Sequence, residues 1–593
     1  MVLRMSNRLV TAIPTLVFIL SLLGVPGAFV LAQTDKPLKG VADRYWEAVL
    51  KRNPTFATSI GDYRYNDRLE DVSQDGRSQW RSTLEGFLRE LTLIPADQLS
   101  PDDSFTHELL RKTVEDSLLR IDCLSHYYPL DPLDGFQISF PLILVSQPFR
   151  NLNDYRAYLV RLRAFPRQVD DHIANMRAGL ALGHVSPTVV IEKCVPQIKT
   201  HVVIDPTKSE FYAPLQKSTG LAGPDHSAIT AELTTAISAY VVPAYEQLLA
   251  FVRDEYLPTC RATVGISAVP NGAKIYENLA YLHTGVRIKS DDIHELGIAE
   301  VARLRKEMAK IQQIIGRAGG LDEFIAFMRQ DGHNRFDTRE ELIAAADAIL
   351  QKTKPHLPKL FGRLPKADCV MKEMEAFRAA ASPVAYYNPP PEDGSRPGYY
   401  YINTYSPNDR MRFTLEALTY HEAVPGHHLQ IALDQENRDL PRFRRYGSFT
   451  SYVEGWALYS EKLGYDIGAY TDPLQRYGQL TMEMWRACRL VVDTGMHVKG
   501  WTRDQAVEYM VKNTSLARLD IDSEIDRYIS WPGQALAYKI GEIRISNLRR
   551  QAEKELGSKF DIRAFHDALL AGAAMPIEML EKRMQSWIAS RKN

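Results

Sequence analysis

The chain has 593 residues, 72 of them Lys or Arg and 73 Asp or Glu, for a formal net charge of −1. That balance, with no basic stretch, excludes nucleic acid as a partner attracted by bulk charge. The cysteines Cys123, Cys194, Cys260, Cys369 and Cys488 are too few and too scattered for a disulfide framework; joining Cys194 to Cys260 would be a guess, and one thiol is left over.

At the amino terminus Arg4 and Arg8 precede an apolar run from Val10 to Leu31, and Val30-Leu31-Ala32 resembles a small-residue cleavage site. Residues 1–32 are expected to be a secretory signal, with an uncleaved anchor as the alternative because the run is long. The protein is expected to be exported, periplasmic or secreted, and to touch a membrane only through that segment if it is kept.

Helical spacing of apolar residues then predicts helices over 38–52, 77–97, 102–122, 151–182, 226–256, 291–315, 339–352, 474–498, 503–512, 533–556 and 563–571. Thr502-Arg503-Asp504-Gln505 is a capping box for one of them. Strand signals are local, at 199–204, 384–388 and 398–405. No repeat and no Gly/Ser-rich linker interrupts the chain. The expectation is a mainly α protein: one large helical body over 36–593, in two lobes of about 36–380 and 381–593 around a central cleft, with a small antiparallel sheet. Ser406-Pro407-Asn408-Asp409 reads as a helix start with Ser406 as N-cap, so a helix should run from near Pro407 into the next motif.

That motif is Tyr420-His421-Glu422-Ala423-Val424-Pro425-Gly426-His427-His428. Zinc hydrolases commonly carry His-Glu-x-x-His on one helix, two imidazoles gripping the metal and the glutamate between them serving as base. Here a proline stands at the position of the second histidine and must break or bulge the helix. On an undistorted helix His428 would share the face of His421. If Pro425-Gly426 is looped out, His427 takes that place, and the tandem Pro-Gly favours this geometry. Two other His-Glu pairs, His107-Glu108 and His294-Glu295, have no histidine within eight residues after them and read as surface or capping residues.

With Glu454-Gly455-Trp456-Ala457-Leu458-Tyr459-Ser460-Glu461, Arg396-Pro397-Gly398-Tyr399-Tyr400-Tyr401-Ile402-Asn403, Arg489-Leu490-Val491-Val492-Asp493-Thr494-Gly495, Gly500-Trp501-Thr502 and Pro532-Gly533-Gln534-Ala535-Leu536-Ala537-Tyr538, the motif resembles the bacterial domain-of-unknown-function 885 family, which is grouped with gluzincin-type zinc metallopeptidases. The resemblance covers nearly all of the chain after about residue 36. It implies a metallopeptidase-like body holding one zinc ion, with His421, His427 and Glu454 as ligands. The family signature keeps the first histidine after Pro-Gly more faithfully than the second. Glu454 would come from a helix over 451–463, capped by Ser448, Thr450 or Ser451 and stopped by Gly464. Glu461, seven residues on, would orient a ligand histidine; His428 and Glu461 are the alternative ligands. Glu422 would take the proton of a zinc-activated water and return it to the leaving group.

For the oxyanion, the resemblance points to Tyr538 as donor, with Tyr528 near it. Arg489, Asp493 and His497 recur every four residues in an apolar helix, either as a buried Arg-Asp packing pair or as a cleft wall. His497 is carried as a catalytic candidate, and Arg489, Arg486 and Lys539 as cations for a peptide carboxylate. The strand over 398–405 would present its edge to a substrate backbone, which makes Tyr400 and Asn403 substrate-binding candidates. The expected activity is hydrolysis of peptide or related amide bonds, as a carboxypeptidase or dipeptidase on short peptides. The alternatives are a zinc amidohydrolase on a non-peptide amide and a silent peptide-binding protein on the same scaffold.

Overall fold

The computed structural model describes residues 35–216, 221–374, 379 and 383–592; the expected signal, 1–32, lies outside them. The amino-terminal half is built from α1 (Asp35–Arg52), α2 (Gln74–Thr92), α3 (Pro101–Asp122), α4 (Leu152–Ala181), α5 (Thr188–Thr200) and α6 (Gly223–Thr259). Four helices follow, α7 (Gly272–Thr284), α8 (Ser290–Ile315), α9 (Leu321–Gln330) and α10 (Arg339–Thr353). After a small sheet come α11 (Arg412–Glu422), α12 (His427–Glu436), α13 (Thr450–Asp466), α14 (Pro473–His497) and α15 (Arg503–Asn513). The chain closes with α16 (Arg518–Ser530), α17 (Leu536–Leu556), α18 (Ile562–Leu570) and α19 (Ile577–Lys592). One buried apolar cluster runs through both halves, from Leu38 to Ile588. Helix α6 is long and apolar enough to cross a bilayer, but 50% of its apolar window is buried in the protein, as in a core helix. All five cysteines are free thiols, Cys194 and Cys260 included.

The sheet is three-stranded, β1 (Cys369–Glu373), β2 (Ala385–Asn388) and β3 (Gly398–Ile402) in the order β1-β3-β2. It is mixed, not antiparallel as expected: β3 runs parallel to β1 and antiparallel to β2. Strand β3 is therefore central, and its edges are already paired. The expected strand at 199–204 is instead the end of α5 and a loop. Val202 and Val203 there pack against the core from the loop, while Ile204 stands fully in solvent.

Two helix boundaries also differ. Ser406 takes a left-handed φ of 51° and its hydroxyl bonds Asp409, closing a 3-10 turn over Pro407–Asp409. Arg410 is extended and α11 begins only at Arg412. Gly464 does not stop α13, which continues to Asp466 from Thr450 without a side-chain cap. It is a packing position, where a Cβ would lie 2.4 Å from the Tyr470 ring. The capping box at Thr502 forms as expected.

Helices α11, α13, α14 and α17 converge. The α13–α17 crossing is closest at Gly455 and Gly541: a Cβ on Gly541 would sit 1.9 Å from the Ser451 carbonyl oxygen, and one on Gly455 would sit 2.5 Å from Gly541 C. No side chain fits between these backbones, and the contact holds Glu454 and Tyr538 at one height. Gly541→Ala is expected to lower stability by about 1–3 kcal/mol, the usual cost of overpacking, as read from the urea unfolding midpoint. An unchanged midpoint would contradict this packing.

Candidate metal centre and its cavity

Helix α11 ends at Glu422, the turn 423–426 reverses the backbone, and α12 opens at His427. Pro425 cannot continue α11. Gly426 folds back over the open carbonyls of the last turn, where a Cβ would lie 2.0 Å from His421 O and 2.3 Å from Tyr420 O. The turn is tied to α13: the Trp456 indole N–H donates to Pro425 O at 3.0 Å, and the Ser460 hydroxyl approaches the same oxygen at 3.4 Å. Each such bond to a buried carbonyl contributes about 1 kcal/mol net, and leaving the carbonyl unpaired costs more.

This turn brings His427 beside His421, with ring centroids 4.8 Å apart. Glu454 Oε2 lies 3.5 Å from His421 Nε2 and 3.4 Å from His427 Nε2. It makes no hydrogen bond, although it is shielded from water. The ligand atoms of the three residues lie within 4.8 Å of one another, the only such His/Cys/Asp/Glu group among the described residues. A tetrahedral ion with bonds of about 2.0–2.2 Å separates neighbouring ligand atoms by roughly 3.3–3.6 Å. The two separations that involve Glu454 are edges of that size, and two imidazoles with a carboxylate are a donor set of the kind zinc takes.

The tautomer of His421 follows from its neighbour. Glu461 Oε1, 2.9 Å away, can only accept, so Nδ1–H donates and the Nε2 lone pair faces Glu454. Arg486 Nη2, 3.4 Å from Glu461, balances that buried carboxylate. Burial opposes charge on His421, but Glu454 and Glu461 outweigh it and raise its pKa. Burial also opposes the charge of Glu454, and the two imidazoles hold its pKa well below the usual carboxylate range.

A cavity of about 450 Å³ opens in front of the cluster. Glu422 borders it and makes no side-chain hydrogen bond among the described residues. The Tyr538 ring stacks on His421, centroids 6.3 Å apart, and the Arg489 guanidinium lies over the same ring, 4.2 Å from its centroid. Burial first and the charge of Glu454 next raise the Tyr538 hydroxyl pKa. Arg489 also donates to Glu524 and Tyr528. Burial opposes the Glu524 charge, yet Arg527 and Arg489 hold its pKa at about 2.

Several expected site residues stand elsewhere. His428 is fully used: Nε2–H donates to Ala367 O at 3.1 Å and Nδ1 accepts from Tyr387 Oη at 2.9 Å, so it belongs to the wall and not to the cluster. His497 accepts from Ile266 N and donates to Tyr528 O, outside the cavity. Lys539 is buried among Glu483, Glu542 and Glu300, which raise its pKa after burial lowers it, and no donor is left for a substrate. The Tyr400 hydroxyl is 3.3 Å from that of Thr419, on the closed side of α11. The Asn403 amide donates to Ala379 O and Pro383 O and shapes the loop before β2. Asp493 does not pair with Arg489; it accepts from Tyr276 and from Gly533 N, steadying the turn before α17. Tyr528 is taken up by Glu524, Arg489 and Trp485. His107 and His294 are buried and bonded, to Leu91 O and Thr494, not surface residues.

The cavity also has walls that the pattern of residues did not single out. Arg527, Trp485 and Gln534 come from α16, α14 and the turn before α17, and Leu133 and Asp134 come from a loop in the amino-terminal half. The edge strand facing the cavity is β2, through Ala385, Tyr386 and Tyr387, and not β3.

Fold and centre together define a large helical protein with a His-His-Glu cluster in the lining of a cavity. The chain belongs to the family of bacterial proteins of unknown function DUF885, whose model matches residues 54–584. Among solved structures it is similar to a "putative lipoprotein" from Colwellia psychrerythraea, 28% identical, with a TM-score of 0.88 over 94% of this chain and 100% of that one. A "putative lipoprotein of unknown function" from Shewanella oneidensis shares the fold at 17% identity, TM-score 0.71, over 92% and 99% of the two chains. No curated protein matches the sequence.

His427→Ala is expected to lose tightly bound zinc while His428→Ala retains one ion per chain, measured by metal analysis after dialysis. Full retention by the first variant would contradict this arrangement.

Proposed function

We propose that the protein is a zinc-dependent hydrolase of peptide or related amide bonds, similar in its centre to gluzincin-type metallopeptidases. The observation that carries this reading is the cluster itself: Glu454 Oε2, without a hydrogen bond, at 3.4 and 3.5 Å from two imidazole nitrogens. Such an oxygen is costly to leave unpaired, and a cation shared by the three groups removes that cost. His421, His427 and Glu454 would hold the ion, and Glu461 and Arg486 would keep the His421 ring turned toward it. A bound zinc lowers the pKa of water to about 7 and polarises the carbonyl under attack.

The remaining work falls to side chains of this chain. Glu422, next to His421 and open to the cavity, accepts the proton of the attacking water and hands it to the leaving amine. Tyr538 donates its hydroxyl to the developing oxyanion, and its position is set by stacking on His421 and by the Arg489 charge above its ring. Edge strand β2 offers main-chain groups to an extended substrate. A cavity of about 450 Å³ suits short or unfolded peptides, and the cationic wall, Arg489 and Arg527 without Lys539, supports an exopeptidase form of the activity. Export belongs to the same reading: the amino-terminal segment has the pattern of a signal, and the two similar structures are described as lipoproteins.

Glu422→Gln is expected to keep its zinc and lose about 10²–10⁴-fold in turnover of a peptide library. Chelation should abolish the wild-type activity and added zinc should restore it. Undiminished turnover by Glu422→Gln would remove this mechanism.

A further inference from the structure

A cavity larger than the one at the cluster lies elsewhere in the protein. It encloses about 670 Å³ in the amino-terminal half, between α1, α2, α3 and α4. Arg52, Arg77 and Arg120 line it, and none of the three forms an ion pair with a carboxylate among the described residues. Arg52 donates to Asp71 O, Arg77 donates to Val72 O and Asn175, and Arg120 makes no hydrogen bond. Two carboxylates, Glu70 and Asp134, share the lining with the three arginines; Glu70 accepts from Thr55, and Asp71 close by accepts from Ser73. His126 and His172 add no charge at neutral pH, since burial first and Arg77 second bring them down to about 4 and about 3. Trp80 and Phe136 supply apolar wall. A chamber of this size, with three guanidinium groups against two carboxylates in its lining, keeps a positive excess that suits an anionic ligand.

The second observation is continuity. Asp134 borders both this chamber and the cavity at the cluster, and it is itself solvent-exposed. One side chain, on the loop that carries Leu133 and Asp134, is thus common to the walls of both spaces.

We propose that the two cavities form one substrate channel, and that the amino-terminal chamber binds a carboxylate of a peptide whose scissile bond lies at His421, His427 and Glu454. This rests on the peptide-hydrolase reading and adds to it the substrate class: peptides long enough to pass Asp134 and bearing a carboxylate there. That carboxylate is either the chain terminus or an acidic side chain, and the chemistry at the arginines is the same.

The test uses the full-length, zinc-loaded protein and synthetic octapeptides made in four forms, with Glu or Gln at successive positions and with a free or amidated carboxyl terminus. For the wild type, removing one carboxylate is expected to lower kcat/KM at least about ten-fold, the size of one charge-assisted hydrogen bond. Loss on amidation identifies the terminus, and loss on Glu→Gln identifies a side chain. Arg120→Glu, which removes an exposed side chain with no bonds to the fold, is expected to erase or invert the preference. Equal rates on all four forms, or an unchanged preference in Arg120→Glu, overturn the channel assignment while leaving the hydrolase reading intact. Failure of the wild type to cleave any of the peptides defeats the hydrolase reading, and this inference with it.

Discussion

The turn at Pro425-Gly426, held by the Trp456 indole, is the constraint from which the centre follows. It breaks the helix one residue after Glu422 and restarts it at His427, so two imidazoles that an unbroken helix would place on different faces come within 4.8 Å of each other. The same indole belongs to the helix that carries Glu454, so one hydrogen bond links α13 to the turn between α11 and α12, the three helices that supply the whole cluster. Removing the side chain of Gly426's neighbour would matter less than adding one to Gly426, because the backbone there rests on the carbonyls of His421 and Tyr420.

Around this turn the protein invests buried charge. Glu461 with Arg486, Glu524 with Arg489 and Arg527, and Lys539 with Glu483 and Glu542 are paired ions in the interior. Such pairs are weak sources of net stability but costly to break by removing one partner, about 3–5 kcal/mol. Their effect is to fix the rotamers of the groups beside them: Glu461 sets the His421 tautomer, and Arg489 sits over Tyr538. Lys539 uses the same device for helix packing alone, which is why a cation next to Tyr538 in sequence contributes nothing to the cavity.

Much of this was legible in the chain. The long helices announced themselves by apolar spacing, and the Pro-Gly insertion pointed to His427 before any distance was known. Helix α16 did not, because Arg518, Asp520, Asp522, Glu524, Asp526 and Arg527 crowd a thin apolar stripe, and those charges have partners that only the fold brings near: Arg489 on α14, Arg503 on α15, Lys193 on α5 and Arg410 before α11, besides pairs within α16. His497, Lys539, Tyr400 and Asn403 had the residue types of a site but face neighbours that only the fold reveals. The mixed sheet was hidden for the same reason: strand β1 is short, and its parallel pairing with β3 depends on a crossover that no local pattern encodes. Asp134 and the arginine-lined chamber are remote from the motif in sequence, and nothing nearby hints at their approach.

The central claim is that His421, His427 and Glu454 share one cation. Anomalous diffraction at the zinc absorption edge, from crystals of the full-length protein grown with zinc, tests it directly. A single strong peak within bonding distance of both Nε2 atoms and Glu454 Oε2 is the predicted result. Density at His428, or no peak at the cluster with the protein saturated, would contradict it.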